Sequence, residues 1–419
     1  MANKEAVKVL MKILLINSYF EKGGAEVVFM DSFHGLQKYG SNLECVVAAS
    51  GSINEKNSFI LDSWENHKIL APFYYIFNFR NIFLLWRLLQ KFSPDIIHLH
   101  GFLGTLSPSI LFVIKLWKRF HTLKVVQTVH DYHVICPNAS AYNYNQKKKC
   151  LECIGQKIKT KIFYDNCDRR GWIYSIMKGI RSFVAINMAG HQKMVDLFIT
   201  PSLFLQEQML KEGILPEKLL VLRNPLDAKN DTKVIKTNTI VYFGRFSKEK
   251  NLDFLLEVFR HSLKEHFLLP NLLLIGDGEE AEKLKANVIL YNLQDRVTFL
   301  PFQAREKLHK IIAEAKVMVL PSSVYETYGL VIFEAILQNI LPITSNNGGL
   351  KESIEWAGIG QTFEDGNGIQ LGQAIENALV YYDMYDFKVA QQKIAEELNL
   401  QDYSIALEKL YRELSADAN

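Results

Sequence analysis

One local pattern recurs along this chain of 419 residues: a short apolar segment, a loop rich in glycine or polar residues, and a longer segment with helical apolar spacing. KILLIN (12–17), DIIHLH (95–100) and KVVQTV (124–129) are typical of buried strands, and helices are predicted after the first two. Such alternation favours parallel, doubly wound α/β sheets. The length predicts two or three domains, and a hydrophobic fraction of 48% is ordinary for a globular chain.

The stretch PSSVYETYGLVIFEAILQ (321–338) contains two carboxylates, Glu326 and Glu334, with Gly329 between them. The apolar run before it predicts a strand that stops at Pro321, and GLVIFEAILQ predicts a helix, so a strand-to-helix loop lies between them. In a parallel sheet such loops face the ligand crevice, where the start of a helix favours an anion. The two glutamates would have a reach of roughly 10 Å along one ligand. Two hydroxyl-rich groups flanking a phosphate would fit this arrangement.

The pattern P-S-x-x-x-E-x-(F/Y)-G-L-x-x-x-E-A resembles the E-x7-E segment of retaining nucleotide-sugar glycosyltransferases of the GT-B fold, family four. The resemblance implies an α/β architecture of GT-B type, with two Rossmann-like doubly wound domains facing across a cleft. It implies that Glu326 contacts the donor sugar and Glu334 the ribose hydroxyls. The backbone of Tyr328, Gly329 and Leu330 is expected near the sugar and phosphates. The alternative is an ordinary helix with one exposed and one half-buried glutamate.

A second group of donor-side residues follows the predicted strand TIVYF. GRFSKEKN places Arg245 and Lys250 near the strand end, and a guanidinium with an ammonium suits a diphosphate. The segment resembles the diphosphate-binding loop of the same family, which implies that both cations stabilise the leaving nucleoside diphosphate. NNGGLKE carries Gly348, Gly349 and Glu352, and it resembles a family turn that abuts the phosphates. Ordinary surface cations are the alternative for Arg245 and Lys250.

The loop after the first predicted strand carries a glycine pair, Gly23 and Gly24, followed by Glu26. Glycines let a backbone approach a ligand closely, and the helix predicted from about residue 25 offers its amides to an anion. GGAE resembles the first loop of the same family, which lies between the acceptor and the donor phosphates. The resemblance therefore implies a donor-side position for Gly24 and acceptor-side positions for Gly23 and Glu26. A plain glycine turn is the alternative.

Histidines stand at two predicted strand ends. His130 and Asp131 directly follow the strand 124–129, where side chains meet bound ligands in sheets of this kind. Similar pairs in the family lie near the donor sugar and the reacting centre. The resemblance thus implies that His130 binds the sugar and takes part in catalysis, with Asp131 beside it on the acceptor side. His98 and His100, at the end of the preceding strand, are expected to be structural.

Four cysteines, Cys136, Cys150, Cys153 and Cys167, form the spacing C-x13-C-x2-C-x13-C in a polar, lysine-rich insertion. Four thiols with one C-x-x-C unit can close a tetrahedral Zn²⁺ site, provided that they stay reduced. A long loop with few apolar residues gains stability from such a site. Similar clusters occur in some polysaccharide glycosyltransferases. An iron–sulfur cluster, a redox pair and four unlinked thiols are the alternatives, and Cys45 is expected to be a small buried hydrophobe.

These landmarks predict the domain organisation. Residues 1–10 form an N-terminal extension, and 11–226 form an acceptor-side Rossmann-like domain that includes the cysteine-rich insertion 136–167. FITPS and RNPLD resemble the last landmarks before the family's chain crosses to the donor domain, which we place at 227–395. In GT-B chains the last helix tends to cross back onto the first domain. We expect this for 396–419, although the sequence alone does not show it.

Charge is distributed unevenly: residues 1–222 carry 27 Lys and Arg against 17 Asp and Glu, within an overall net charge of +3. Basic and aromatic residues interleave at 157–181, which suits a peripheral contact with an anionic membrane or a phosphate-bearing acceptor; a solvated surface is the alternative. No nucleic-acid recognition motif is present, so no nucleic acid is expected. Neither a secretory segment nor an apolar run of about 18 residues is found. We therefore expect a cytoplasmic protein, associated at most with the inner face of the membrane.

These expectations combine into a retaining hexosyltransferase. The donor would be a nucleoside-diphosphate sugar, with UDP as the expected nucleotide, and the acceptor a polysaccharide or a lipid-linked oligosaccharide. No catalytic metal is expected, because no Asp-x-Asp motif is present and two cations can stabilise the leaving diphosphate. Pro301 replaces a frequent glycine in the predicted nucleobase loop, which leaves the base open. A nucleotide-sugar epimerase and a non-catalytic nucleotide-sugar-binding scaffold are the alternatives.

Overall fold

The computed structural model describes residues 10–20, 23–51, 55–226, 234–265 and 270–416. The chain divides into two compact units. Unit 1 comprises Met1–Pro225 and Leu400–Asn419, and unit 2 comprises Leu226–Asn399. This division falls next to the predicted boundary after Leu226. The predicted extension 1–10 lies outside the described residues, apart from Leu10.

Unit 1 is built on a parallel sheet. Its strands are β1 (Met11–Tyr19), β2 (Leu43–Ser50), β3 (Ser58–Ile60), β4 (Ile96–Leu99), β5 (Lys124–Thr128), β6 (Tyr142–Asn143), β7 (Lys148–Lys149), β8 (Leu197–Thr200) and β9 (Leu219–Val221). The sheet has the order β3-β2-β1-β4-β5-β8-β9, and β6 and β7 form a separate antiparallel pair. Ile13, Leu14, Leu15 and Ile16 of β1 are fully buried. A continuous apolar run is typical of a parallel strand that is covered on both faces.

The helices of unit 1 alternate with these strands. They are α1 (Gly24–Tyr39), α2 (Ala71–Ile76), α3 (Phe79–Phe92), α4 (Ser109–Phe120), α5 (Lys161–Asp165), α6 (Trp172–Phe183), α7 (His191–Met194) and α8 (Leu203–Glu212). Side-chain caps fix some of their starts: Asn78 accepts from the first amides of α3, and Ser202 accepts from the Leu205 amide in α8. A π-helical turn (Val184–Met188) follows α6 directly and leads toward α7.

Unit 2 repeats this architecture in a smaller sheet with the order β12-β11-β10-β13-β14-β15, again parallel. The strands are β10 (Thr237–Phe243), β11 (Asn271–Ile275), β12 (Val297–Leu300), β13 (Ala315–Leu320), β14 (Leu341–Ser345) and β15 (Gln361–Phe363). The helices are α9 (Leu252–Glu265), α10 (Ala281–Leu290), α11 (Arg305–Ile312), α12 (Leu330–Leu337), α13 (Gly348–Ala357), α14 (Gly368–Val380) and α15 (Lys388–Glu397). The parallel α/β class predicted from the sequence is therefore confirmed in both units.

The strand order reverses at one strand in each sheet. In unit 1, β1 lies between β2 and β4, and in unit 2, β10 lies between β11 and β13. Ligands of open α/β sheets bind beyond the carboxyl ends of the strands at such a reversal. A ligand site is therefore expected at the loops after β1, β4 and β5 in unit 1 and after β10 and β13 in unit 2.

The last helix, α16 (Leu400–Ala416), belongs to unit 1. It lies against α1, and its Tyr403, Leu407 and Tyr411 are buried in the core that also contains β1. A Cβ at Gly35 of α1 would overlap the Ser404 hydroxyl, so glycine at this position allows the two helices to approach closely. Residues from both ends of the chain thus complete one core.

Within the part of the chain that the structure describes, no helix combines the length and the apolar character needed to cross a lipid bilayer.

Candidate active site

The loop from β13 to α12 has the strand, turn and helix that the sequence predicts. α12 begins at Leu330, directly after Gly329, whose φ is +98°. A Cβ at Gly329 would lie only 2.7 Å from Leu350 Cδ2 on α13. Because both the left-handed backbone and the crowding exclude a side chain, only glycine fits this turn without displacing its neighbours. This turn places Glu326 at the carboxyl end of β13.

Glu326 and Lys250 form an ion pair, although 76 residues separate them in the chain. Lys250 Nζ donates to Glu326 Oε1 at 2.5 Å, and Ser322 Oγ donates to the same oxygen at 2.7 Å. Burial acts to raise the pKa of the Glu326 carboxyl, but the Lys250 ammonium and these hydrogen bonds outweigh it and hold that pKa below its ordinary value. Glu326 is therefore a charged carboxylate with a fixed direction. The sequence predicted both residues as ligand groups but did not predict their contact.

Arg245 follows β10, and its side chain is exposed. Among the residues that the structure describes, no acidic side chain forms an ion pair with it. The backbone around it is tightly packed: a Cβ at Gly276 would overlap the Gly244 carbonyl oxygen, and one at Gly278 would overlap that of Phe246. The short glycine motif at 276–278 therefore holds the loop after β11 against the loop after β10. It leaves Arg245 as a cation on a rigid loop.

The start of α13 packs against the Glu326 loop. Gly349 N–H donates to the Glu326 carbonyl at 2.8 Å, and a Cβ at Gly349 would lie 2.5 Å from the Thr327 carbonyl oxygen. Tyr328 is buried, and its carbonyl accepts a hydrogen bond from Ser353 Oγ at 2.7 Å. The loop is thus held from behind by α13. The contact of Gly349 with phosphate stays a prediction, and its amide is already hydrogen-bonded within unit 2.

Glu334 lies inside α12, and only 8% of the residue is exposed. Its Oε1 is 3.1 Å from Nε of Arg305, at the start of α11, so the two form an ion pair. Arg305 was not predicted, because nothing in its spacing along the chain relates it to the glutamate. The predicted contact between Glu334 and ribose hydroxyls stays a prediction, and a ligand there would meet a carboxylate that already has a cationic partner.

In unit 1 the predicted glycine loop leads directly into α1. Gly24 is its first residue, and a Cβ there would meet no atom within 4 Å, so the surrounding described residues leave this helix start open. Glu26 Oε1 lies 3.4 Å from Asn17 Nδ2. Asn17 is fully buried at the end of β1, and its Oδ1 accepts from the Gly101 amide at 2.9 Å. Asn17, which the sequence analysis missed, therefore connects the loops after β1 and β4. The roles predicted for Gly23, Gly24 and Glu26 stay predictions.

His130 follows β5 and contacts His100, which follows β4. His130 Nε2 lies 2.8 Å from His100 Nδ1, and the two rings are nearly parallel, at 21°. Burial lowers the pKa of His130 to about 4, although Asp131 acts to raise it, and burial with the neighbouring histidines lowers the pKa of His100 well below its ordinary value. Both rings are therefore neutral at pH 7, so that one nitrogen of the contact donates and the other accepts.

His98 lies behind this pair and is fully buried. Its Nδ1 is 2.6 Å from the Tyr411 hydroxyl of α16, and its Nε2 is 2.8 Å from Thr128 Oγ1. Burial lowers the pKa of His98 to about 3. The predicted structural role fits His98, whose two nitrogens are both satisfied inside the core. It does not describe His100 in full, because His100 contacts His130 directly.

Asp131 was predicted as a companion of His130, but its hydrogen bonds go to His133. The His133 amide donates to Asp131 Oδ1 at 2.9 Å, and His133 Nδ1 lies 2.7 Å from Oδ2. Burial acts to raise the pKa of Asp131, but the charge and hydrogen bonds of His133 outweigh it and hold that pKa below its ordinary value. Asp131 therefore orients His133, a residue that the sequence analysis did not single out.

The four cysteines of the insertion line one small cavity, and each is a free thiol. No group of three or more His, Cys, Asp or Glu side chains stands ready to hold a metal ion in the described ranges. Burial raises the pKa of Cys153 and of Cys167 to about 12. Cys45 is a separate buried thiol in β2, as predicted.

Two family models match the chain along most of its length. The model described as Glycosyltransferase Family 4 matches residues 22–230, and the model described as Glycosyl transferases group 1 matches residues 226–386. The change from one to the other falls next to the division between units 1 and 2.

Known proteins with a similar sequence or fold agree with these matches. The chain is 32% identical over 158 residues to the uncharacterised glycosyltransferase YqgM of Bacillus subtilis. These residues make up 37% of this chain and 43% of YqgM. It spans only about two fifths of the length of the curated relatives that it matches. Anabaena HepE in complex with UDP has a similar structure, with a TM-score of 0.69 and 16% identity over 96% of this chain and all of HepE. Sucrose-phosphate synthase of Thermosynechococcus elongatus also has a similar structure. Its TM-score is 0.71 and its sequence identity 17%, over 97% of this chain and all of that protein.

Two parallel α/β sheets and structural likeness over nearly the whole chain define the GT-B fold, which confirms the predicted fold. The chain belongs to the glycosyltransferases of group 1.

Proposed function

We propose that the protein transfers a hexose from a UDP-sugar to a hydroxyl group of a polysaccharide or a lipid-linked oligosaccharide, with retention of the anomeric configuration. The observation that carries the proposal is the Lys250–Glu326 ion pair, which lies with the exposed Arg245 in the loops that follow β10 and β13. These are the loops at the reversal of strand order in unit 2. Family membership supports the reaction class, and the UDP bound to the similarly folded HepE supports the nucleotide.

The charges suit a diphosphate leaving group. Arg245 offers a guanidinium that forms no ion pair with a described residue, and Lys250 offers an ammonium whose three donors can serve more than one acceptor. Phosphate oxygens would share Lys250 with Glu326, whose charge keeps the ammonium in place. Two cations fixed before the reaction stabilise the charge that develops as the diphosphate departs.

The proposed transfer breaks one bond at the anomeric carbon and forms another. The bond between the anomeric carbon and the diphosphate oxygen breaks, and its electron pair stays with the diphosphate. The acceptor oxygen forms a bond to the anomeric carbon on the same face, and its proton passes to the leaving phosphate. We assign Glu326 to the donor sugar, and we assign His130 to a sugar hydroxyl. Because the His130 imidazole is neutral, it can accept or donate a hydrogen bond without adding charge.

The acceptor side of the proposal includes a peripheral contact with an anionic membrane. α6 and the residues before it expose apolar side chains, with Tyr164 82%, Trp172 57% and Ile173 70% exposed. Exposed aromatic and aliphatic groups beside lysines and arginines are typical of surfaces that lie on anionic lipid. Such a contact would keep the protein at the inner face of the membrane, near a lipid-linked acceptor.

Turnover tests the reaction. Mixed nucleotide sugars are first screened for the one that raises the melting temperature, and transfer and donor hydrolysis are then measured with that donor. Arg245→Ala, Lys250→Ala and Glu326→Gln are expected to lose most of the activity, whereas Lys248→Ala, an exposed neighbour, is expected to keep it. Unchanged turnover in all of the first three variants would refute the site.

The product distinguishes the alternative functions. The anomeric configuration, determined by NMR of the product, must match that of the donor. An epimerase would change the sugar without any acceptor, and a binding scaffold would be stabilised by the nucleotide sugar but give no turnover. Sedimentation with vesicles tests the membrane contact: binding to anionic and not to neutral lipid is expected, with a loss in Ile173→Ser but not in Ile289→Ser, a residue of unit 2 that is similarly exposed.

A further inference from the structure

The insertion between β5 and α6 brings together residues that are distant in the chain. Cys136, Cys150, Cys153 and Cys167 all line one cavity, which is otherwise bordered mainly by Pro137, Asn138, Tyr142, Leu151, Ile154 and Ile162. The cavity is about 10 Å³, close to the space of a single water-sized sphere. Four sulfur atoms inside an otherwise mostly apolar shell therefore surround a space suited to one atom or ion.

Backbone hydrogen bonds fix the positions from which these thiols extend. The Cys150 amide donates to the Ala141 carbonyl at 2.8 Å, and Asn138 Nδ2 donates to the Cys167 carbonyl at 2.9 Å. After Cys136 the chain turns back, and the Ala139 amide donates to the Cys136 carbonyl at 3.0 Å. The backbone of the cluster is thus ordered by its own hydrogen bonds, and only the thiol side chains remain to be oriented.

The insertion contains only short elements of secondary structure. β6 and β7 have two residues each, and α5 has five. An ion pair links it to α8, with Lys159 Nζ 2.6 Å from both carboxylate oxygens of Glu212, and Lys178 Nζ of α6 donates to Asn138 Oδ1 at 2.7 Å. Segments of this size and composition commonly depend on a metal ion or a disulfide. All four cysteines are free thiols, so they remain available as metal ligands.

We propose that Cys136, Cys150, Cys153 and Cys167 bind one Zn²⁺ ion, which holds the insertion together. Four thiolates complete a tetrahedral shell and leave no open position, so the ion is structural and takes no part in the sugar transfer. As they stand in the described residues, the four thiols do not form a ready-made ligand set, so zinc binding requires them to change position. The proposal is independent of the proposed function.

Metal analysis of the untagged, full-length protein tests the site. About one zinc per chain is expected, and Cys45→Ser, which changes the one cysteine outside the cluster, should keep it. Cys153→Ser should lose it. The absence of zinc from the wild-type protein, or the same zinc content in Cys153→Ser, would overturn the proposal. Iron in place of zinc, with visible absorption of a cluster, would overturn it as well.

Thiol mapping keeps the test decisive where a cysteine variant fails to fold. The wild-type protein is treated with an alkylating reagent before and after a chelator, and the modified peptides are identified by mass spectrometry. The four cluster cysteines should become reactive only after chelation, while Cys45 stays buried and unmodified in both samples. Equal reactivity before and after chelation, or masses that show disulfides, would contradict a zinc site.

Discussion

Units 1 and 2 share one architecture, but the polar groups at their strand ends differ in kind. In unit 1 the groups after β4 and β5 are imidazoles, and burial lowers the pKa of His98 to about 3 and of His130 to about 4. In unit 2 the corresponding groups are a carboxylate and an ammonium, Glu326 and Lys250, in direct contact. Unit 1 thus carries neutral hydrogen-bonding groups, and unit 2 carries paired charges.

Under the proposed function, this difference would let one fold meet two chemical needs. A buried group without a counter-charge must lose its charge, whereas a buried charge persists only beside a partner. Neutral rings suit sugar hydroxyls, which need directed hydrogen bonds and carry no charge. Paired ions suit a diphosphate, whose charge rises as it leaves. The two units should therefore respond differently to mutation and to pH.

The largest effect is expected for Lys250→Ala. Loss of one preorganised cation next to the leaving group should lower kcat by about 10²–10³-fold, as for other groups that stabilise developing charge. Steady-state kinetics with the donor found by thermal shift measures it. Lys248→Ala, with an exposed side chain in the same segment, is the control. A kcat within twofold of wild type in Lys250→Ala would remove the distinction between the units.

A large effect on stability is expected in unit 1 for Leu407→Ala. Leu407 of α16 is fully buried, so the change removes apolar contacts and leaves a cavity, which costs about 2–5 kcal/mol. Urea unfolding monitored by a probe in unit 1 measures the loss. Lys409→Ala, on the exposed face of the same helix, should change the free energy of unfolding by less than about 0.5 kcal/mol. Equal effects of both variants would show that α16 does not complete the core.

Lowering the pH from 7 to 5 should destabilise unit 1 more than unit 2. The folded-state pKa of His98 and His130 is depressed, so the unfolded chain binds more protons below about pH 6.5, and stability falls with pH until the folded pKa is reached. Each fully neutral histidine contributes a loss of about 2 kcal/mol at pH 5. Glu326 has a depressed carboxyl pKa, so its contribution is retained down to about pH 4 and is lost only below it.

Amide hydrogen exchange at the two pH values, corrected for intrinsic rates, separates the units. Peptides from β1 and β4 should lose protection at pH 5, and peptides from β10 and β13 should keep it. A parallel loss in both sets would mean that the buried histidines do not control the acid response.

The smallest effect is expected for Tyr411→Phe. The change removes the hydroxyl that lies 2.6 Å from His98 Nδ1 and leaves that buried nitrogen without its partner, at a cost of about 1–2 kcal/mol. Chemical unfolding measures the difference, and Tyr381→Phe, with a half-exposed side chain in unit 2, is the control. An unchanged free energy of unfolding in Tyr411→Phe would show that His98 finds another hydrogen-bond partner.

The sequence predicted the fold and part of the site because local signals determine both. Parallel strands are continuous apolar runs that can be recognised in the sequence. Arg245 and Glu326 lie near Gly244 and Gly329, glycines of the kind that mark tight loops. The pairings were not predictable in the same way. Lys250 meets Glu326 across 76 residues and His98 meets Tyr411 across 313, and such contacts depend on strand order and on the return of α16.

Two contacts in unit 1 were likewise not predicted. Asp131 was expected as the neighbour of His130, and the short turn after β5 also brings its carboxylate to His133. His100 was expected to be structural, and the neighbouring positions of β4 and β5 in the sheet place its ring against that of His130. Neither the turn nor the strand order can be predicted from the local sequence.

The place of α16 in unit 1 has a consequence for biosynthesis. Nascent domains commonly fold in the order in which the ribosome produces them. Here the strands of unit 1 emerge first, but Tyr403, Leu407 and Tyr411 of its core are translated only after all of unit 2. Unit 2, which is continuous in the chain, can therefore reach its native state cotranslationally while unit 1 still waits for its final segment. The first half to be synthesised is the last to be finished.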